Sequence, residues 1–171
     1  MLNIINTRRS TRLWTEKTVS EQEINKIIEA GMNAPSAGNE QPWYFIVIDD
    51  KGVLAQASLL NPYGSFVKNA SVAVLVCADK RLDKFPGSFY WVQDCSAAAE
   101  NMLLAACCLG LGGVWTSIYP LKERMEGFSG LFNLPEEVVP FALVPLGYPA
   151  RSMDNPKSRF NPSRILRNRW G

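Results

Sequence analysis

Arg8, Arg9, Ser10 and Arg12 stand almost side by side near the start of the chain. Guanidinium groups are planar, permanently charged forks that match phosphate oxygens, and each charge-assisted hydrogen bond contributes roughly 1.5–3 kcal/mol where water is partly excluded. In an extended segment Arg8, Ser10 and Arg12 share one face and Arg9 lies on the other. Two guanidiniums and a hydroxyl can then surround one phosphate, with Lys157 and Arg159 from the far end of the chain completing the cage. A phosphorylated small molecule is the first candidate ligand, and a solvated run of charge is the alternative.

Three other stretches carry candidate chemistry. Pro35, Ser36, Ala37, Gly38 and Asn39, then Gln41 and Trp43, form a loop of turn-formers and amide side chains ahead of an apolar run. Gly110-Leu111-Gly112-Gly113 invites a dinucleotide reading, but Trp115 occupies the last glycine position of G-x-G-x-x-G, and no G-K-[ST] occurs. Phe85, Phe89, Tyr90 and Trp91 cluster around Pro86-Gly87, as core or as a lid that stacks on planar molecules. The chain has no histidine, so Ser-His and Cys-His nucleophile pairs are excluded and the commonest transition-metal ligand is missing. Hard acid–base chemistry would then have to come from a cofactor, and no metal is expected.

These groups need elements to position them. Ser20-Glu21-Gln22-Glu23 is a capping box, and Ile24, Ile27 and Ile28 follow at helical spacing, which predicts a helix over 21–32. Residues 43–48 and 70–78 read as buried strands, with Asp49-Asp50-Lys51-Gly52 as a turn. Ala97, Ala98, Asn101, Leu104, Ala105 and Cys108 recur at threes and fours, so a long central helix is expected between Tyr90 and Leu109, stopped by Gly110 and Gly112. Residues 114–118 and 138–146 are further strands, the second irregular or near a sheet edge because of Pro140 and Pro145. The expected class is α+β in a single domain over residues 1–171, with residues 150–171 as an extended, polar tail.

Composition bounds the rest. With 171 residues and a hydrophobic fraction of 47%, the chain is sized for one core that buries roughly 70% of the unfolded surface. A net charge of +2 argues against nucleic acid as a partner, although residues 157–169 are locally basic. The longest apolar window, 97–109, is interrupted by Glu100 and Asn101 and is too short for a bilayer, and no basic-then-apolar leader precedes the arginines. A soluble cytoplasmic protein with no membrane partner is the expectation. Cys77, Cys95, Cys107 and Cys108 show no metal-ligand spacing and read as reduced, structural residues.

The arginine cluster, the loop from Pro35 to Trp43, Gly110 to Thr116 and Leu146-Gly147-Tyr148-Pro149, in that order, resemble the nitroreductase family of FMN-dependent oxidoreductases. The resemblance implies a nitroreductase-like fold, a central mainly antiparallel sheet flanked by helices, with the C-terminal tail exchanged in a homodimer. It implies FMN as cofactor and NADH or NADPH as co-substrate, with hydride passing through flavin N5 to a planar acceptor such as a nitroaromatic or quinone in a ping-pong scheme. The phosphate then falls to Arg8, Ser10, Arg12 and the Lys157/Arg159 pair, with Arg9 a further cofactor contact. The ring and ribityl chain fall to Pro35, Ser36, Ala37 and Asn39 of the second subunit, with Gln41 a further amide for the cofactor, and N5 and O4 to the backbone around Trp115, Thr116, Ser117 and Ile118. Asn61, Tyr63, Phe85, Phe89 and Tyr90 are implied substrate contacts. A non-catalytic flavin-binding or storage protein is the alternative.

Overall fold

Ser20 begins the first long helix as its neighbours require. Its hydroxyl accepts from the Glu23 N–H, and the Glu23 carboxylate accepts from the Ser20 N–H at 2.9 Å, closing the capping box. The computed structural model describes residues 2–151 and 158–170. Helix α1 spans Leu2–Thr7, α2 Glu21–Met32, α3 Lys51–Leu59, α4 Tyr90–Cys108 and α5 Lys122–Phe132. Strands are β1 Trp43–Ile48, β2 Val72–Asp79, β3 Gly112–Gly113, β4 Thr116–Ser117 and β5 Val138–Gly147. The fold is α+β, with its sheet ordered β1-β2-β5-β3, β4 also on β5, and every strand pair antiparallel.

Both faces of the sheet are covered. Alternate residues of β2 split between two cores: Val72, Val74, Val76 and Ala78 meet α2 and α4, while Ala73, Leu75 and Cys77 meet α3 and α5. Burial on both faces is why β2 reads as a continuous apolar run. Cys77 and Cys95 lie in these cores, and burial pushes the Cys77 thiol up to about 12 and Cys95 upward as well, so both stay protonated. Among the described residues, no helix is long and apolar enough to cross a membrane.

The sequence expectations need four corrections. Strand β5 is irregular, as one of its two readings had it, but lies inside the sheet and not near an edge. It tolerates Pro140 because the register with β2 jumps from Val76–Ala142 to Cys77–Pro140, leaving Phe141 as an extra residue. It tolerates Pro145 because that proline's carbonyl side, which accepts from Val114 N at 3.4 Å, faces the gap between β3 and β4. The strand expected over 114–118 is broken into β3 and β4. The turn expected at 49–52 is instead the start of α3, since the Asp50 carboxylate accepts from Val53 N at 2.9 Å as an N-cap. Helices α1 and α5 gave no periodic signal; α1 has six residues, under two turns, and α5 carries the poor helix formers Gly127 and Gly130.

The capping box is tied to the end of β5, where Tyr148 donates its hydroxyl to Glu23 Oε1 at 2.6 Å and Lys17 Nζ sits 3.6 Å from the Tyr148 ring centroid. Bonds from Ser20, Tyr148 and the Ser20 N–H hold the Glu23 carboxyl down at about 2, against an ordinary 4.5. A lowered folded-state value contributes stability above the unfolded value that is lost as pH falls through the folded one. Glu23→Gln is therefore expected to lower the melting temperature by a constant amount above pH 4.5, with the gap closing as pH falls to about 2 in paired thermal melts. A gap that persists unchanged at pH 2 would refute this.

Candidate active site

Residues 9–15 run as a strap along the sheet edge. Ser10 bridges Gly113 in parallel, Thr11 N donates to Gly113 O at 3.0 Å, Trp14 Nε1 donates to Gly112 O at 2.8 Å, and Thr15 N donates to Tyr148 O at 2.8 Å. On its other side Ala150 N donates to Leu13 O at 3.1 Å. Such close approach needs glycine at 112, where an added Cβ would overlap the Thr11 side chain. The Gly110–Gly113 run thus serves as a bed for the strap.

The strap opens a cleft of about 230 Å3 lined by Ser10, Thr11, Arg12, Leu13 and Arg151. That is several times the roughly 30 Å3 share of a water molecule. The Arg12 guanidinium lies 5.6 Å from the Phe66 ring centroid, which holds it at the rim. Arg8 is placed differently from expectation. Its N–H donates to Ile4 O at the end of α1, so it does not share an extended face with Ser10 and Arg12, and its Nε pairs with Glu100 Oε1 of α4 at 3.3 Å. Arg9 is half-buried and Arg159 exposed; Lys157 lies outside the described residues. Arg151 joins the cleft although the sequence placed it only within the polar tail over 150–171. Its signal is two residues beyond Pro149, where β5 delivers the chain to the strap.

The loop after α2 is wound tightly, with Gly38, Asn39 and Gln41 at φ of 52°, 53° and 47°. Several of its backbone N–H groups are already engaged. Ala37 N donates to Asp94 Oδ1 at 3.0 Å, Asn39 N to Ser36 O at 3.1 Å, Glu40 N to Ala37 O at 3.0 Å and Gln41 N to Ser36 Oγ at 3.1 Å. A turn this tight satisfies itself. The exposed side-chain amides of Asn39 and Gln41 are what it offers to a ligand, with Pro35 exposed beside them.

Trp115 stands half-buried at the break between β3 and β4, edge-on to Phe141 at 5.5 Å. Thr116 donates its hydroxyl to Leu143 O at 2.7 Å, Ser117 is exposed, and Ile118 is buried with its N–H given to Phe141 O. The aromatic stretch divides: Trp91 is core, 4.8 Å from Tyr119, while Phe85, Phe89 and Tyr90 are exposed. Phe85 and Tyr90 meet edge to face at 5.5 Å, and Phe85 lies 3.0 Å from where a Cβ on Gly38 would sit, so this loop covers the Gly38 turn. Asn61 is buried and spends its side chain on Tyr63 N at 3.0 Å, whereas Tyr63 is exposed. Sequence reading missed Glu40, Lys84 and Asp94, which knit these loops together; an acidic residue among Trp91, Cys95 and Ala98 on a buried helix face was the available signal.

The family profile described as Nitroreductase family matches residues 5–60 and 52–148, which include the strap, the Gly38 turn, the glycine bed and all five strands. The chain belongs to the nitroreductase family. A protein of Archaeoglobus fulgidus, provisionally named an NADH dehydrogenase/NAD(P)H nitroreductase, is 50% identical over 99% of this chain and 98% of its own. A crystal structure from Clostridium acetobutylicum, provisionally named an NADH oxidase, superimposes with a TM-score of 0.93 at 40% identity over 98% of this chain and 99% of that one. A further crystal structure, from Desulfovibrio desulfuricans, provisionally named a nitroreductase and in complex with FMN, gives 0.81 at 31% identity, over 99% of this chain and 96% of that one.

Proposed function

We propose that this protein is a homodimeric FMN-dependent oxidoreductase that takes hydride from NADH or NADPH and delivers it to a planar electrophile, a nitroaromatic or a quinone, in alternating half-reactions. The observation that carries the reading is the cleft in which Ser10, Arg12 and Arg151 converge on a strap docked against backbone. Two guanidiniums and a hydroxyl suit a phosphate monoester, so the donor set fits FMN. When bound, FMN supplies N5 as acceptor and donor of a two-electron hydride equivalent.

Every other task falls to the chain. Arg12 and Arg151 neutralise the phosphate and Ser10 donates to it, with Arg8, Arg9, Lys157 and Arg159 as further cations around the anchor. Asn39 and Gln41 present amides to the polar edges of a flavin ring, and Trp115, Thr116 and Ser117 border the ring where β5 leaves the facing strand broken. Phe85, Phe89 and Tyr90 exclude water and stack on planar compounds, which keeps donor and acceptor close enough for transfer. A shared face needs no separate nicotinamide site, in keeping with the failed G-x-G-x-x-G.

Two features support a dimer whose tail wraps the second copy and whose 35–41 loop completes that copy's site. Phe160, Ile165, Leu166 and Trp170 hold apolar side chains in water, Trp170 at 94% exposure. Among the described residues β1 pairs on one side alone, with Tyr44 and Val47 exposed beside its open edge. Sedimentation should therefore give a dimer, and removal of residues 158–171 a monomer that has lost cofactor.

The experiment that tests the function is an absorption spectrum of the purified protein followed by NADH and NADPH oxidation with menadione or a nitrofuran. Turnover with both spectrum and acceptor supports the reading; a yellow protein without turnover is a flavin carrier. Arg12→Ala should weaken FMN binding by about ten- to a hundredfold, the loss of one charge-assisted contact, with an unchanged circular dichroism spectrum. Unchanged affinity would remove Arg12 from the anchor.

A further inference from the structure

Two carboxyls are buried beneath the Gly38 turn, Glu40 at 6% and Asp94 at 4% exposure. Each gives one oxygen to a backbone N–H: Asp94 Oδ1 accepts from Ala37, and Glu40 Oε2 accepts from Lys84 at 2.9 Å. Each keeps the other oxygen, Asp94 Oδ2 and Glu40 Oε1, in the interior without a hydrogen-bonding partner. The carboxyls share one corner of the interior: Asp94 holds the N–H of Ala37, three residues before Glu40, and Glu40 is one of the groups that push the Asp94 carboxyl up. Two bare carboxylates here would face each other unsolvated, and one proton between them removes both the repulsion and the unmet acceptors.

We propose that Glu40 and Asp94 hold one proton between their inner oxygens, and that this proton latches the 81–91 loop, through Lys84, onto the 36–41 turn. The consequence for acceptor access rests on the function proposed above, because these segments carry the candidate ring and acceptor contacts; the latch itself does not need that function. The loop has the parts of a hinged cover. Lys84 Nζ donates to Gly38 O at 2.9 Å, Phe85 lies on Gly38, and Gly87 and Phe89 take positive φ of 86° and 58°. The titratable groups acting on Asp94 are Glu40 from the turn, Asp83 from the loop and the Cys95 thiol on α4, which stays protonated, while Lys84 gives its backbone N–H to Glu40 and its Nζ to Gly38 O.

Burial pushes the Asp94 carboxyl up to about 6, against the pull of the Ala37 N–H and with the help of Glu40 and Asp83. A carboxyl raised in the closed state lends stability that is full below its ordinary value of 3.8 and is lost as pH rises to about 6. The latch is thus tight in mild acid and loosest on a plateau above pH 6. Asparagine at position 94 imitates the protonated acid, its Oδ1 accepting from Ala37 and its Nδ2 donating to Glu40.

The test is amide hydrogen exchange of residues 81–91 from pH 4 to 8, corrected for intrinsic rates, with and without added FMN. The wild-type chain should open by up to about tenfold more per pH unit between about 4 and 6, then level off, a total approaching roughly a hundredfold. Asp94→Asn should stay flat at the latched level, and Glu40→Gln, which keeps the Lys84 contact and donates to Asp94 Oδ2, should do the same. A wild-type profile with no step, or a folded variant that still shows the step, overturns the latch. If one variant fails to fold, the other decides. A step in a protein that binds no FMN keeps the latch and sinks the flavin reading; FMN binding without a step does the reverse.

Discussion

Trp14→Ala should destabilise the protein by about 3–5 kcal/mol and strip it of cofactor, the largest effect expected of any single side chain outside the two sheet-flanking cores. Trp14 is 7% exposed and fastens the strap three ways. Its ring packs 6.2 Å from Phe66, its Cδ1 lies 2.8 Å from where a Cβ on Gly147 would sit, and its Nε1 donates to Gly112 O. Alanine leaves a void and frees that carbonyl, so the strap lifts and Ser10 and Arg12 lose their register with Arg151. Trp14→Phe separates the contributions, because it keeps most of the apolar contact and forfeits the indole donor, at about 1–3 kcal/mol. Denaturant unfolding with a parallel flavin titration measures both. A loss under about 1 kcal/mol for the alanine variant would mean that the strap is held elsewhere.

Gly112→Ala should act on the same contact from the opposite side, costing about 1–3 kcal/mol in stability and lowering FMN affinity at least as much as Arg12→Ala. The new methyl group overlaps the Thr11 side chain, which belongs to the strap and cannot retreat while Thr11 N stays bonded to Gly113 O. Gly110→Ala is the control. Gly110 has φ of 75° with open space around it, so alanine there adds backbone strain of about 1 kcal/mol and leaves affinity alone. Equal affinities for the two variants would show that close approach at Gly112 is unimportant. Because Trp14 and Gly112 touch, the double variant should lose less than the sum of the singles.

Both variants bear on how far the sequence could be read. Local chemistry was legible: the Ser20–Glu23 box and the spacing of Ile24 and Ile27 put α2 at the expected residues, and the β-branched run at 43–48 put β1 there too. The glycines around 112 were visible as a signature but not as a surface, since the residue they accommodate is about a hundred positions away. For the same reason Arg8, adjacent to Arg9 in the chain, turned to Glu100 on α4, a partner that only packing supplies. Helix α3 was hidden because Asp49-Asp50 reads as turn chemistry equally well when Asp50 caps a helix. Nothing in the order of residues announced that N–H groups of the Gly38 turn would be taken by Ser36, Ala37 and, from α4, Asp94.

By itself, then, the amino-acid order determined the class of fold, the family, and the residue types available for phosphate, amide and aromatic contacts. These rest on short-range periodicity and on which side chains exist at all, including the absence of imidazole. Tertiary structure decided which arginines converge, that β5 runs through the middle of the sheet despite two prolines, and that Glu40 meets Asp94. Those outcomes depend on groups far apart in sequence entering one solvent-poor space, where desolvation and unmatched hydrogen bonds set the energy, and no local pattern encodes that meeting.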